Sequence, residues 1–263
     1  MKFNMKLVQA SMIVAMGVAS ATASAAVFPD FTFDPAGATA AFTADKITGN
    51  YVEVVTFDGL GNFATSIQWQ AGQFVTNDGA LPINAGTTRL GVDYGLYGLL
   101  QATGTVSIVG NTASFTFTPG SINLSVWIDP QADATFTAPS DGTGAWTVGG
   151  LADGMLATGG IKSGAGTLDV SGSCAGGINC GSFGTNTTFA LTALGSTYFT
   201  APNPFYDLSF ESGQLNTFTV AGTQKINGSL DVVFGKVPEP SSIALMGLGL
   251  VGLGLGLRRS KLA

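Results

Sequence analysis

No histidine occurs anywhere in the 263 residues. That absence removes Ser-His and Cys-His nucleophile pairs, imidazole metal sites and histidine general bases. Charge is scarce as well: 10% of residues are charged, with ten basic side chains against sixteen acidic ones. Nucleic acid and anionic lipid surfaces demand clustered basic residues, so neither suits this chain as a partner. There are two cysteines and no C-x-x-C pair, which argues against dithiol redox chemistry. Between Ala26 and Pro238 there is no long i, i+3, i+4 apolar stripe, so nothing announces a helical body. Glycine is abundant at 38 residues but follows no G-X-Y period, which excludes collagen. Eighteen Phe, with frequent Val, Ile and Leu, supply the apolar material that a disordered chain lacks.

Both ends read as addresses. At the N-terminus Lys2 and Lys6 form a charged region, Leu7 to Ala19 an apolar one, and Ala23-Ser24-Ala25 an A-x-A cleavage site. This predicts a signal peptide over 1–25, cut between Ala25 and Ala26. At the other end Val237-Pro238-Glu239-Pro240 precedes the uncharged run Ser241 to Leu257, then Arg258 and Arg259. Seventeen residues at ~1.5 Å each reach roughly 25 Å, the short end of what spans a bilayer as a helix. Basic residues beyond such a run are held on the cytoplasmic side, leaving the body outside.

A rigid Pro-Glu-Pro, a greasy run and a basic stub, in that order, resemble the PEP-CTERM sorting tail of Gram-negative bacteria. The resemblance implies recognition by an exosortase, a membrane protease-transpeptidase, with Pro238, Glu239, Pro240, Arg258 and Arg259 as its sorting residues. It also implies release to the cell surface or extracellular matrix. Three body segments, Asn50 to Val55, Gly72 to Gly79 and Tyr94 to Tyr97, are similar to the flocculation-associated PEP-CTERM proteins, which hold exopolysaccharide flocs together. The resemblance carries over no catalytic residues.

The expected organisation is therefore 1–25 signal peptide, 26–236 exported β-rich domain and 237–263 sorting tail, the last divided into a motif at 237–240, a transmembrane segment at 241–257 and a stub at 258–263. Without the two signals, residues 26–240 keep five basic side chains and all sixteen acids, a net charge near −11. Their apolar periodicity is two. Phe115 and Phe117 alternate with Ser114, Thr116 and Thr118, and Leu124, Val126 and Ile128 alternate with Asn123, Ser125 and Trp127. Turn pairs such as Asp58-Gly59, Gly110-Asn111 and Asn227-Gly228 punctuate these runs. Many short strands with frequent turns predict an all-β body, an antiparallel β-sandwich or jelly roll. The Gly- and Pro-rich stretch Ala132 to Gly160 reads as a long loop or a domain seam.

Few residues offer chemistry. Cys174 and Cys180 are expected to form one local disulfide pinning a Gly-rich loop, since exported chains sit in oxidising surroundings. Trp69, Trp127 and Trp146, with the five Tyr, are the candidates for stacking on sugar rings, against the alternative that they pack in the core; Trp127 stands out, because it is expected to point outward if Val126 and Ile128 are core. The body's two glutamates, Glu53 and Glu211, and acids such as Asp30, Asp34, Asp129 and Asp133 read as solvated charges or turn formers. No metal site is expected. An acidic body can still be bridged to other acidic polymers by Ca²⁺, for which oxygen ligands suffice.

Three functions follow. The first is a non-enzymatic matrix or cell-surface protein that promotes aggregation within exopolysaccharide. The second is a specific carbohydrate-binding module, and the third a hydrolase working with carboxylates alone.

Overall fold

The computed structural model describes residues 28–35, 38–121, 123–171, 180–216 and 218–235. In chain order these form β1 (Phe31–Phe33), β2 (Phe42–Ala44), β3 (Lys46–Phe57), β4 (Asn62–Thr76), β5 (Leu81–Pro82), the single-turn α1 (Ala85–Thr88), β6 (Gly95–Val109), β7 (Thr112–Phe117) and β8 (Asn123–Asp129). There follow β9 (Thr135–Thr137), β10 (Thr147–Gly149), β11 (Gly154–Gly159), β12 (Ile161–Asp169), β13 (Gly181–Thr188) and β14 (Ala190–Leu191). The single-turn α2 (Gly195–Tyr198), β15 (Phe199–Ala201), β16 (Leu208–Leu215) and β17 (Gly222–Gly235) complete the described chain.

The sheet closes on itself. β7 and β8 lie end to end along one edge of β6, β11 and β12 lie end to end along β8 and β7, and β13 and β14 continue the pattern. Counting each such pair as one stave, eight staves run β3, β4, β6, β7/β8, β11/β12, β13/β14, β16, β17, every contact antiparallel. β17 then pairs back to β3, from Gly222 opposite Phe57 to Val232 opposite Ile47. The all-β, antiparallel expectation stands, but the sandwich or jelly roll is corrected to an up-and-down barrel. Period-two alternation specifies one buried face per strand in either architecture. The pairing of first stave with last decides between them, and it removes the exposed edges that a sandwich keeps.

Closure sends alternate side chains inward. Ile47, Tyr51, Val55 and Phe57 of β3 and Phe63, Ile67 and Trp69 of β4 are all buried, as are Phe115, Phe117, Leu124, Val126 and Ile128 on the next staves. One end is plugged. The small sheet β15–β1–β2 lays Phe31, Phe33 and Phe199 over the barrel, against Phe74, Phe189 and Phe234. Phe33 lies 5.1 Å from Phe199 edge-on, and Phe31 5.1 Å from Phe234. Much of the phenylalanine is spent here. Phe234 packs against this plug, so β17 ends, at Gly235, on the plugged side of the barrel, opposite the hairpin tips at Leu60 and Val109.

Residues 130–153 are neither a seam nor a free loop. They form a strap holding the β9–β10 hairpin and crossing the outside of β3, β4 and β6. The Gly142 N–H donates to Thr56 Oγ1 at 2.9 Å, Trp146 Nε1 to the Ser66 carbonyl at 3.2 Å, and Gln101 Nε2 to the Gly144 carbonyl at 2.8 Å. A Cβ on Gly142 would stand 2.0 Å from the Ala64 carbonyl oxygen, so glycine is what lets the strap lie this close. The remainder of the stretch expected as loop up to Gly160 is strand β11.

No helix among the described residues is long and apolar enough to cross a membrane. The expected signal peptide with Ala25 and Ala26, and the expected span Ser241 to Leu257, lie outside the described residues.

Candidate functional site

Trp127 stands where the alternation placed it. Val126 and Ile128 are 9% and 1% exposed, and Trp127 faces outward, half-buried. Its cross-strand neighbours are Tyr97 on β6 and Met155 on β11. The Trp127 and Tyr97 rings are parallel within 6°, with centroids 6.4 Å apart, and Phe136 of the strap meets Tyr97 edge-on at 5.0 Å. Trp127 Nε1 donates to Ser125 Oγ at 2.9 Å, which satisfies its only polar atom and fixes the indole as a shelf.

Carboxylates beside the shelf hold the strap in place. Asp129 accepts the N–H groups of Gln131 at 3.1 Å and Ala134 at 2.8 Å, and Asp133 accepts that of Leu151. Tyr97 donates its hydroxyl to Asp153 Oδ2 at 2.7 Å. Burial, and then this bond to a carboxylate, push the Tyr97 phenol well above its ordinary range. Burial likewise raises the Asp153 carboxyl. Asp129 and Asp133 are turn formers here, as expected. Among the described residues no three acidic or cysteine side chains come together in a way that could hold a metal ion.

The other aromatics are structural. Trp69 lies inside the barrel with its Nε1 on the Leu230 carbonyl at 3.1 Å, and Tyr51, Tyr94 and Tyr198 are buried. Tyr206 donates to the Asp30 carbonyl at 2.7 Å, tying the start of the plug to the β15–β16 connection.

Glu53 and Glu211 overturn the reading as solvated charges: both point into the barrel and are 7% exposed. Their positions share parity with Tyr51 and Val55, and with Gly213 and Leu215, a signal present in the sequence but masked by the habit of placing charges outside. Glu211 accepts three hydroxyls, from Thr185 at 2.7 Å, Thr187 at 2.8 Å and Ser209 at 2.6 Å. Glu53 accepts one, from Thr65. Burial pushes the Glu53 carboxyl up to about 7, against the lowering pull of Thr65, and raises Glu211 too. Each borders a small cavity, about 50 Å³ beside Glu211 and about 30 Å³ beside Glu53. Neither admits a sugar ring. On β17 Glu53 faces Ile226 while Glu211 faces Val232, a separation of roughly 20 Å along the strand, too far for a paired-carboxylate hydrolase.

Cys180 is buried at 5% exposure, and Cys174 lies outside the described residues. So do Pro238, Glu239, Pro240, Arg258 and Arg259. The three segments that resemble flocculation-associated proteins fall on β3, on the end of β4 with its turn, and on the start of β6. They are barrel wall.

No curated protein matches the chain, and no solved structure matches it. The model of the PEP-CTERM protein-sorting motif matches residues 236–260. Directly after its last barrel strand, then, this chain carries a PEP-CTERM protein-sorting motif, which implies export and exosortase-dependent sorting to the surface of a Gram-negative cell.

Proposed function

We propose that the barrel is a non-enzymatic surface or matrix protein that promotes exopolysaccharide-associated flocculation or biofilm after exosortase has processed its tail. The observation that carries this reading is the sorting motif at 236–260 joined directly to a closed barrel, whose small cavities leave binding to its outer wall. A strain lacking the gene should aggregate less. Complementation with the wild type should restore aggregation, and with Glu239→Ala should leave an unprocessed, membrane-held form that does not. Full aggregation in the deletion strain overturns the proposal.

The second reading, a specific carbohydrate-binding module, is favoured by the outward Trp127 shelf. Loss of retention on purified exopolysaccharide by Trp127→Ala supports it. Attraction between acidic partners needs a bridge, and Ca²⁺ between carboxylates of different molecules supplies one. Chelation should then weaken the protein-dependent part of aggregation, and added Ca²⁺ should restore it. We also assign one disulfide to Cys174 and Cys180: among the described residues no cysteine is free. Titration of the unfolded, unreduced protein should find no reactive thiol.

A further inference from the structure

Away from the strap, no element among the described residues lies over the outer face of β12, β13, β16 and β17. The ladder registers place Ala165, Gly184, Ser212 and Asp231 in one row across these four strands. The next row runs Ser163, Asn186, Phe210. Two open clefts of about 530 and 500 Å³ lie over these rows and meet at Ala165 and Gly184. Among the described residues none covers this floor, for Ala165, Gly184 and Ser212 are all exposed.

Gly184 is the informative position. Its φ is not in the left-handed region, and a Cβ there would meet nothing nearer than the Glu211 carbonyl oxygen at 3.7 Å, an ordinary contact. The fold therefore tolerates a side chain at a site where glycine weakens the strand. What the glycine keeps is open space above the sheet. Beside that space Phe210 is 38% exposed, a large apolar ring with Val233 of β17 on one side and Asn186 of β13 on the other. Asn186 Nδ2 donates to Ser163 Oγ at 3.0 Å, which leaves further donor and acceptor capacity on both groups. The one carboxylate in the row, Asp231, is met by Lys46 Nζ at 3.1 Å.

We propose that this cleft binds a neutral polysaccharide strand, with Phe210 stacking on a sugar face, the flanking Ser and Asn side chains hydrogen-bonding hydroxyls, and Gly184 admitting the chain to the sheet surface. The inference rests on the exopolysaccharide reading and gives it a site and a ligand class. Uronic-acid polymers are disfavoured, because Lys46 of β3, the cation that meets the row's carboxylate, is already paired with it and the body carries a net charge near −11. Contact with an uncharged polymer loses nothing to that repulsion. The cleft is separate from the Trp127 shelf, which lies on β8 and is flanked by the strap.

The test uses processed protein and exopolysaccharide purified from the producing strain, separated by anion exchange into neutral and acidic fractions. Affinity electrophoresis should show retardation by the neutral fraction and little by the acidic one. Gly184→Val should weaken retardation at least tenfold while the melting temperature stays level or rises, because a β-branched residue suits an open strand position. Phe210→Ala should weaken it by a similar factor, and Trp127→Ala should leave it within about twofold. Wild-type retardation by the Gly184→Val protein overturns the inference, as does preference for the acidic fraction. A concentration-dependent dimer abolished by Gly184→Val, seen by sedimentation, would reassign the cleft to a second copy of the chain. If the wild type is not retarded at all, the cleft assignment falls, while the aggregation phenotype of the deletion strain still decides the broader function.

Discussion

The inner and outer faces of the same eight staves differ in what a side chain can do there. Inward, Phe, Tyr, Ile and Leu interlock around two carboxyl groups that no cation meets among the described residues. Outward, the wall is half strapped by residues 130–153 and half open, and its side chains are mostly Ser, Thr, Asn and Gly. Stability is concentrated on the first face, and recognition is left to the second. The two buried glutamates show how strict the inner face is. Glu211 is served by three hydroxyls from β13 and β16, whereas Glu53 has only Thr65. Burial pushes each carboxyl toward its neutral form, against the lowering pull of these hydroxyls.

Substitutions on opposite faces should separate accordingly. The largest effect belongs to the plug. Phe33→Ala removes a fully buried ring that touches Phe42, Phe74, Tyr94, Tyr198 and Phe199, and should cost about 3–5 kcal/mol in denaturant unfolding. A cost under about 1 kcal/mol would mean that the plug is not part of the core.

Next comes pH. The native Glu53 carboxyl holds its proton up to about 7 against an ordinary value of 4.5, so between these values the native state binds more protons than the unfolded one. Stability should therefore be highest below about pH 4.5 as far as this group is concerned, fall as pH rises toward 7, and level off above. The span corresponds to about 3 kcal/mol at 1.36 kcal/mol per pH unit. Glu53→Gln should flatten that slope, and an unchanged slope in the variant would place the proton elsewhere. Glu211 contributes in the same direction.

On the outer face the effects shrink. Trp127→Ala gives up a half-buried ring and its contact with Tyr97, and should cost about 1 kcal/mol. Gly184→Val should change stability by no more than about 0.5 kcal/mol, because its Cβ meets no atom closer than 3.7 Å. A large loss at either position would blur the division of labour between the faces.

Much of the wall was legible from residue spacing. The alternation of Phe115 with Phe117, and of Leu124, Val126 and Ile128, assigned the buried face correctly, and with it the outward direction of Trp127. Closure was not legible, because it depends on β3 pairing with β17 across most of the chain. The strap escaped for a different reason: Gly142 and its Gly- and Pro-rich neighbours look the same in sequence whether they hang free or lie flat on a sheet. Glu53 and Glu211 carry the parity of inward positions, but a carboxylate ordinarily faces solvent, and the two signals conflict along the chain. The Gly184 cleft needed knowledge of which strands are adjacent, for Ala165, Gly184 and Ser212 have no shared signature along the chain.

The central claim is that the barrel works outside the cell after its tail has been processed. Mass spectrometry of the protein recovered from the cell surface or medium tests this most directly. The account predicts an N-terminus within two residues of Ala26, together with peptides from the barrel strands and none from Ser241 to Ala263. Extracellular protein that still carries an intact Ser241 to Ala263 would contradict it.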